Sequence, residues 1–521
     1  MLDYRETERN LKTSVKDGVF SSLFTGFTKS YIAPLAIAMK ASNSVVALFS
    51  SIPELLANVF QLLTINAAKH IASRRNLLVW ANLLQVLVWI PIILVPFIAK
   101  DNLYLLLALV SISTIIGQFM QPIWNSYMGD IVPDNERGRF FGRRNFWVGI
   151  FTLLSTVSAG LVLNHYSGLN PLAGFAIIFA VAVVARLISA YYKSSMSDVA
   201  MQKSSSEEFS LWQFIIKMNR TNYGIFVLYI TLLKFAVYIA TPFFAIYMLR
   251  ELGFSYWQFA AVTSSSLVSS FLFMTLWGRF IDWKGTRRVL AITGYLVVLV
   301  PILWVVAGTG WAGTSLFFML IAIEAFSGIA WAGFDLSAAN FIFDSVRPEK
   351  RIRCIAYYNL FIGAGIFLGT ALGSFVVEHF HGMFSFSSIL IAFIISGTLR
   401  LIVSLLFIPR LKEVRLIEVP LGHTLFHRIL DIRPRSGFDI VIIDKGPDII
   451  PRRAESLKKA VKQPKPALPK CSTIDIIKKN VEKDVHKRDI PERQSRLDQK
   501  RVDTIMDELK RGRYPKEFKR N

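Results

Sequence analysis

Four charged side chains stand where the surrounding sequence is almost wholly apolar: Lys29, Glu54, Lys234 and Glu324. A charge at the centre of a membrane span costs roughly 2.5 to 3.5 kcal/mol, so four unpaired ones would cost on the order of 10 kcal/mol. They must therefore face one another, water or a ligand. Helical spacing groups them with other polar residues. Thr231, Lys234, Tyr238 and Thr241 recur at three- and four-residue steps, as do Gln118, Gln121 and Asn125, and Glu324 shares a helical face with Asp335. A carboxylate at that depth can take up and release a proton, and a lysine can hold an anionic group of a solute. The mixed signs favour an anionic or zwitterionic solute over a hydrophobic cation. For Lys29 and Glu54 the alternative is a structural ion pair between adjacent helices. All seven histidines, His70, His165, His379, His381, His423, His427 and His486, fall in loops or in the polar tail, so no metal centre, cofactor or histidine-based catalytic site is expected in the membrane.

The elements that must hold these charges are read from the apolar runs. Of 521 residues, 53% are hydrophobic and the mean hydropathy is +0.44, above the roughly 45 to 50% apolar content of a soluble domain. Runs long enough to cross a bilayer, which takes about 20 helical residues, lie near 18–40, 44–68, 76–99, 102–129, 144–164 and 172–193. Six more lie near 222–249, 255–281, 287–308, 312–341, 354–377 and 384–408. Their continuous apolarity predicts helices, because barrel strands alternate instead. The expected organisation is a cytosolic N-terminus (1–17), a six-helix bundle (18–193), a cytosolic linker (194–221), a second six-helix bundle (222–408) and a basic cytosolic tail (409–521). In the linker, Phe209, Trp212 and Ile216 at helical spacing suggest an interfacial helix, or a linker helix touching protein.

The net charge of +23 does not point to nucleic acid, because it sits in the tail and in short loops. Residues 411–521 hold 28 Lys and Arg against 17 Asp and Glu. With a cytosolic N-terminus, that segment and the five inward loops between spans carry 23 Lys and Arg and the outward loops three, Lys40, Lys100 and Arg250. That asymmetry orients the chain with both termini inside, in the plasma membrane. The start, MLDYRETERNLKTSVKDG, lacks the pattern of a cleavable signal peptide. Cys354 and Cys471 are expected to be free thiols.

The halves repeat. An offset of 214 pairs Asp130 with Asp344, Val132 with Val346, Arg137 with Arg351, Arg139 with Arg353, Asn145 with Asn359, Gly149 with Gly363, and also Arg186 with Arg400. Asp130 and Asp344 close the fourth and tenth runs, where the helix dipole disfavours an anion by about 0.3 to 1 kcal/mol. Cations are expected nearby, with Arg137, Arg351, Arg287 and Arg288 as candidates. Arg186 and Arg400 read as snorkelling or structural residues, and Gly365, Gly369 and Gly373 as a helix-packing face.

The loops YMGDIVPDNERGRFFGRRN and WGRFIDWKGTRR resemble the cytosolic loop signatures of the major facilitator superfamily, the second through Gly278, Asp282, Gly285, Arg287 and Arg288. The matching first-half loop, INAAKHIASRRN, keeps Arg74 and Arg75 but has Ile65 and Lys69 in place of the glycine and the acidic residue. The fifth run lacks the Gly-Pro signature of many proton-coupled drug antiporters of that family. The resemblance implies twelve transmembrane helices in two repeats and a central path lined by spans one, four, seven and ten. Lys29, Gln118, Gln121, Asn125, Lys234, Tyr238, Glu324 and Asp335 lie on those spans and, with Glu54 of span two as a partner to Lys29, become the expected solute and coupling site. Asp130, Arg137, Gly278, Asp282, Gly285, Arg287, Arg288, Asp344 and Arg351 become the expected cytosolic gate.

The function expected is that of a secondary transporter of a small solute working by alternating access, with protons as a candidate coupling ion. A transporter-like sensor signalling through the tail is the alternative, and a membrane enzyme a weaker one. The expected partners are the bilayer and a small solute, with a monomer as the oligomeric state. The tail runs from a segment containing FDIVIIDKG through KQPKPALPK to a charged helical stretch near 472–511, without a nucleotide-binding or catalytic motif.

Overall fold

The computed structural model describes residues 4–67, 73–99, 102–133, 137–198, 209–380 and 387–414. The tail beyond Val414, Lys69, Lys100, Lys203, Cys471 and the side chain of Arg137 lie outside the described residues. The described chain is helical: α1 (Tyr4–Thr28), α2 (Ile32–Ala38), α3 (Asn43–Ala67), α4 (Arg74–Ile98), α5 (Leu103–Ile131), α6 (Arg137–Tyr166) and α7 (Pro171–Ser194) form the first half. A short α8 (Leu211–Met218) leads to α9 (Asn222–Tyr238), α10 (Thr241–Ile246), α11 (Tyr256–Lys284), α12 (Thr286–Gly310), α13 (Gly313–Ser345), α14 (Pro348–His379) and α15 (Ser388–Phe407).

Local sequence sets the helix starts. The side chains of Ser73, Asn102, Asn170 and Thr221 accept from the backbone N–H groups of Asn76, Leu105, Ala173 and Gly224, satisfying donors that a helix leaves free at its first turn. Among the described residues, eleven helical segments are long and apolar enough to cross a membrane. The twelfth span, the first in the chain, is made of α1 and α2. It differs because the start of α1 is charged and because the helix breaks at Lys29–Tyr31.

Both halves break their first span in this way. Pro34 follows the break between α1 and α2, and Pro242 follows the one between α9 and α10; each lacks the N–H that would bond the carbonyl four residues earlier. A π-helical turn, Tyr247–Glu251, then completes the seventh span. The breaks put irregular backbone beside Lys29 and Tyr238, at mid-depth in the bundle.

The end of the bundle carrying residues 4 and 414 is its base, and the opposite end its top. At the base, Asn10 accepts from the Ser197 backbone N–H and Asn222 donates to the Lys412 carbonyl, which fixes both described termini at one end. At the top, the apolar core is continuous across the halves, with Tyr31, Leu35, Val46, Ala159 and Leu163 packed together with Ile239, Phe243, Phe259 and Trp304. Toward the base it divides. One cluster is built around Leu78, Met120 and Tyr127 of the first half, and another around Phe226, Phe334 and Phe341 of the second.

The halves meet along α3 against α14 and α6 against α11. A Cβ on Gly160 of α6 would lie 2.3 Å from the Ala260 Cβ of α11, so that approach admits only glycine. Within the second half, Gly365, Gly369 and Gly373 let α14 approach the α9 segment so closely that an added Cβ would meet the carbonyl oxygens of Thr231, Phe235 and Ile239. This is the packing face expected from the sequence.

Large apolar side chains cover the outside, as on α4, where Trp80, Leu84, Leu87, Ile90, Leu94 and Phe97 are exposed at helical spacing. A stripe of that size in water would be an aggregation surface, and in a bilayer it is the lipid face. α8 presents Phe214 and Met218 to the second half and leaves Trp212, Ile215 and Ile216 exposed. Phe209 does not share that outer face: its ring packs on Tyr357 and Phe214, because the chain turns into the protein before the Ser210 cap.

Candidate functional site

Lys234, on α9, is the centre of the mid-depth charges. Its ammonium lies 4.4 Å from the centre of the Trp331 ring on α13, a cation–π contact. The charges acting on it come from four other helices or breaks: Asp335 on α13, Arg400 on α15, Lys29 at the α1–α2 break and Glu54 on α3. Asp335 also acts on Tyr238 and Tyr358, and Glu54 on Tyr238. Residues from both halves therefore lie within electrostatic reach of one another, five of them drawn from the expected site: Lys29, Glu54, Lys234, Tyr238 and Asp335. Lys29 and Asp335 are exposed within the bundle, and Glu54, Lys234 and Tyr238 half-buried.

Lys29 forms no direct ion pair with Glu54, whose Oε2 accepts from the Gln118 amide at 3.5 Å. Gln121 donates to Asn125 at 3.5 Å, one turn along α5. Glu324 stands apart from Lys234. Its Oε1 accepts from the indole N–H of the fully buried Trp304 at 3.1 Å, Ser266 also bonds it, and Arg400 is its cationic neighbour. Glu324 stands eleven residues from Asp335 on the same face of α13, about 16 Å along the axis, so the two carboxylates meet different surroundings.

Arg400 is fully buried, at 2% exposure, and does not snorkel. One guanidinium nitrogen donates to the Val297 carbonyl at 3.0 Å and the other to Val237 at 3.4 Å. One acceptor is freed by proline chemistry and the other lies beside a helix break. Residue 301, the normal intrahelical donor to Val297, is Pro301, and Val237 lies at the break ahead of Pro242. Ser396, one turn earlier on α15, donates to Ala236 at 2.6 Å in the same break.

The base ends follow the repeat. Asp130 is held by Arg74, 2.7 Å away, and Arg74 also donates to Ser126 at 2.9 Å. Asp344 accepts from the Thr286 hydroxyl at 3.0 Å. In each half, then, the carboxylate closing the fourth helix is tied to the start of the third, because those two helices are antiparallel neighbours. Arg351 instead donates to the Phe343 and Val346 carbonyls at the end of α13. The Arg287 backbone N–H donates to Glu413 at 2.8 Å and its side chain reaches the Ile408 carbonyl, while Arg288 is exposed. Gly285 has φ +90° between α11 and α12, which favours glycine, whereas Gly278 has ordinary space around it. Asp282 is exposed in the last turn of α11. These contacts of Asp130, Asp344, Arg287 and Arg351 stay within one half.

Links between the halves appear higher up. Arg250 donates to the Asn43 side chain at 2.6 Å and to the Ala41 carbonyl, Ser44 bonds Glu378, and Asn359 donates to Gln61 at 2.9 Å. The sequence reading also missed a charged group inside the first half. Asp17 pairs with Lys193 at 3.1 Å and accepts from Ser189 at 2.6 Å, with Arg144 and Arg186 as further cationic neighbours. Asp17 had been assigned to a polar terminus before the first span, but α1 carries it into the bundle at 1% exposure. Arg186's place in the repeat was the one signal pointing there.

A helical bundle of two six-span halves, with charged residues of both within electrostatic reach of one another at mid-depth, is the architecture of a membrane transporter. The model of the Major Facilitator Superfamily matches residues 18–301 and 226–464, and the chain belongs to that family. The fold is similar to the nucleoside transporter NupG, with TM-score 0.60 and 15% identity over 77% of this chain and 99% of that one. It is also similar to a bacterial homologue of the human lysosomal transporter Spinster in an inward-facing conformation, with TM-score 0.59 and 14% identity over 79% of this chain and 100% of that one. A bacterial homologue of the iron transporter ferroportin, also inward-facing, gives TM-score 0.58 and 14% identity over 78% and 99%. A search of curated protein sequences finds no match.

Proposed function

We propose that this chain is a secondary active transporter of a small anionic or zwitterionic solute, working by alternating access. The observation that carries this reading is the Lys234 ammonium set 4.4 Å from the Trp331 ring centre, with Asp335, Lys29 and Glu54 of both halves within electrostatic reach of it. A lysine with an aromatic face beside it can hold an anionic group, while Glu54 and Asp335 can meet an ammonium or polar end. A solute bridging the halves at that point would be exposed to each side in turn as they rock. Gln118, Gln121, Asn125 and Tyr238 extend the same wall with neutral polar groups.

Glu324, set apart with Trp304, Ser266 and Arg400, is the proposed coupling carboxylate, with the proton as coupling ion. The proposed orientation puts the base in the cytosol, from the distribution of basic loop residues, in the plasma membrane as a monomer. Asp282, Arg287, Arg288, Gly278 and Gly285, with the Asp130 and Asp344 ties, form the proposed hinge-and-gate region at that end.

The test is uptake of a solute panel by proteoliposomes with and without an imposed pH gradient. Lys234→Ala should weaken uptake of an anionic solute at least tenfold, and Glu324→Gln should abolish proton-driven accumulation while sparing solute exchange. If both variants accumulate solute at the wild-type rate across the same gradient, these charges are structural and the proposal fails.

A further inference from the structure

A polar chamber is lined wholly by residues of the first half, and Gln121 is shared between it and the wall proposed around Lys234. Its volume is about 250 Å³, and α1, α4, α5, α6 and α7 line it. The charged residues in its wall are Asp17, Arg144, Arg186 and Lys193, three cations against one carboxylate. Asp17 is already engaged by Lys193 and Ser189, so the chamber keeps an excess of positive charge in a largely buried place. Such an excess is costly without an anionic partner.

The donors are arranged for one. Arg186 is 6% exposed; one terminal nitrogen donates to the Ser21 hydroxyl at 2.9 Å, and its Nε is buried without a hydrogen-bond partner. The guanidinium of Arg144 lies 4.2 Å from the centre of the Trp124 ring and spends one N–H on the Ser14 carbonyl at 3.3 Å. Two guanidinium groups and an ammonium around one chamber suit a tetrahedral oxyanion, since each planar fork can take two of its oxygens. The hydroxyls of Ser22, Thr25 and Thr152 already donate to carbonyls of their own helices, whereas the Ser21 hydroxyl accepts from Arg186 and keeps its own proton to donate.

We propose that this chamber binds a phosphate dianion, through Arg144, Arg186 and Lys193, with Trp124 flanking the group that carries it. Two charges on the ligand match the excess of two in the wall. Asp17 tunes the site by holding Lys193. The pseudo-equivalent arginine, Arg400, bonds backbone carbonyls instead, so the site belongs to the first half alone. The proposal concerns binding and does not rest on the transport reading.

Binding is measured on the full-length protein in detergent by calorimetry and by thermal shift, with inorganic phosphate, glycerol phosphate and short-chain phosphatidic acid as separate probes. At least one should bind and raise the melting temperature. Preference for glycerol phosphate or inorganic phosphate assigns a soluble ligand, and preference for phosphatidic acid a lipid headgroup. Arg186→Gln and the less buried Arg144→Gln should each weaken binding at least tenfold, Asp17→Asn should tighten it, and Lys234→Ala should leave it unchanged. Absence of binding by all three probes, or equal affinity in wild type and Arg144→Gln, would show that the cluster only braces helices. Lost transport in Lys234→Ala with intact phosphate binding would separate this site from the mid-depth one.

Discussion

Replacing Arg400 by methionine tests the idea that this arginine repairs backbone interrupted by proline. The substitution removes the donor to Val297, whose carbonyl has no intrahelical N–H to turn to because residue 301 is proline. A stranded buried acceptor costs about 1 to 3 kcal/mol. Val237 loses less, since it still accepts from the Ala240 N–H at 3.2 Å and the Thr241 hydroxyl at 3.0 Å. Glu324 loses its cationic neighbour but keeps Trp304 and Ser266. The expected total is about 2 to 4 kcal/mol, below the loss for a fully stranded buried charge. Restoring an N–H with Pro301→Ala in the Arg400→Met background should recover about 1 to 3 kcal/mol, while Pro301→Ala alone changes little. The assay is equilibrium unfolding of the detergent-solubilised protein for both single variants and the double variant. Additivity within about 0.5 kcal/mol would refute the proline-repair account, because non-interacting sites add to that tolerance.

Arg250→Ala removes a link across the top, and spin labels at Ser42 and Ser387 should report a population with a more separated top, enriched about tenfold for a lost charge-assisted hydrogen bond; an unchanged distance distribution would exclude that role. Gly369→Leu places a Cβ where the Phe235 carbonyl oxygen stands 2.1 Å away, so unfolding should become easier by about 1 to 3 kcal/mol, and wild-type stability would contradict the packing described. Single cysteines at Lys100 and Ser204, in a background lacking Cys354 and Cys471, should be labelled from opposite sides of the membrane. Labelling of both from outside would overturn the proposed orientation.

The sequence by itself determined the membrane class, the helical form of the spans and the relation between the halves, because each follows from local, additive properties. Twenty apolar residues exclude water wherever they sit, and Gly365, Gly369 and Gly373 mark one face through helical period alone. Lys29, Glu54 and Lys234 were legible as unusual for the same reason: the cost of a charge in an apolar run does not depend on knowing its neighbours. The choice of partner does depend on them, and only the tertiary structure decided it. Arg74 holds Asp130, 56 residues away, because α4 and α5 are antiparallel neighbours. Glu324 meets Trp304 and Asp335 lies near Lys234 because the helices packed on α13 change over the three turns between them, and spacing alone does not name those neighbours. Arg186 and Arg400 are equivalent by repeat, yet one borders a polar chamber and the other serves the carbonyl left by Pro301 and another beside the Pro242 break. The difference arises because long side chains reach across helices, and what they meet is set by packing that no single stretch of sequence contains.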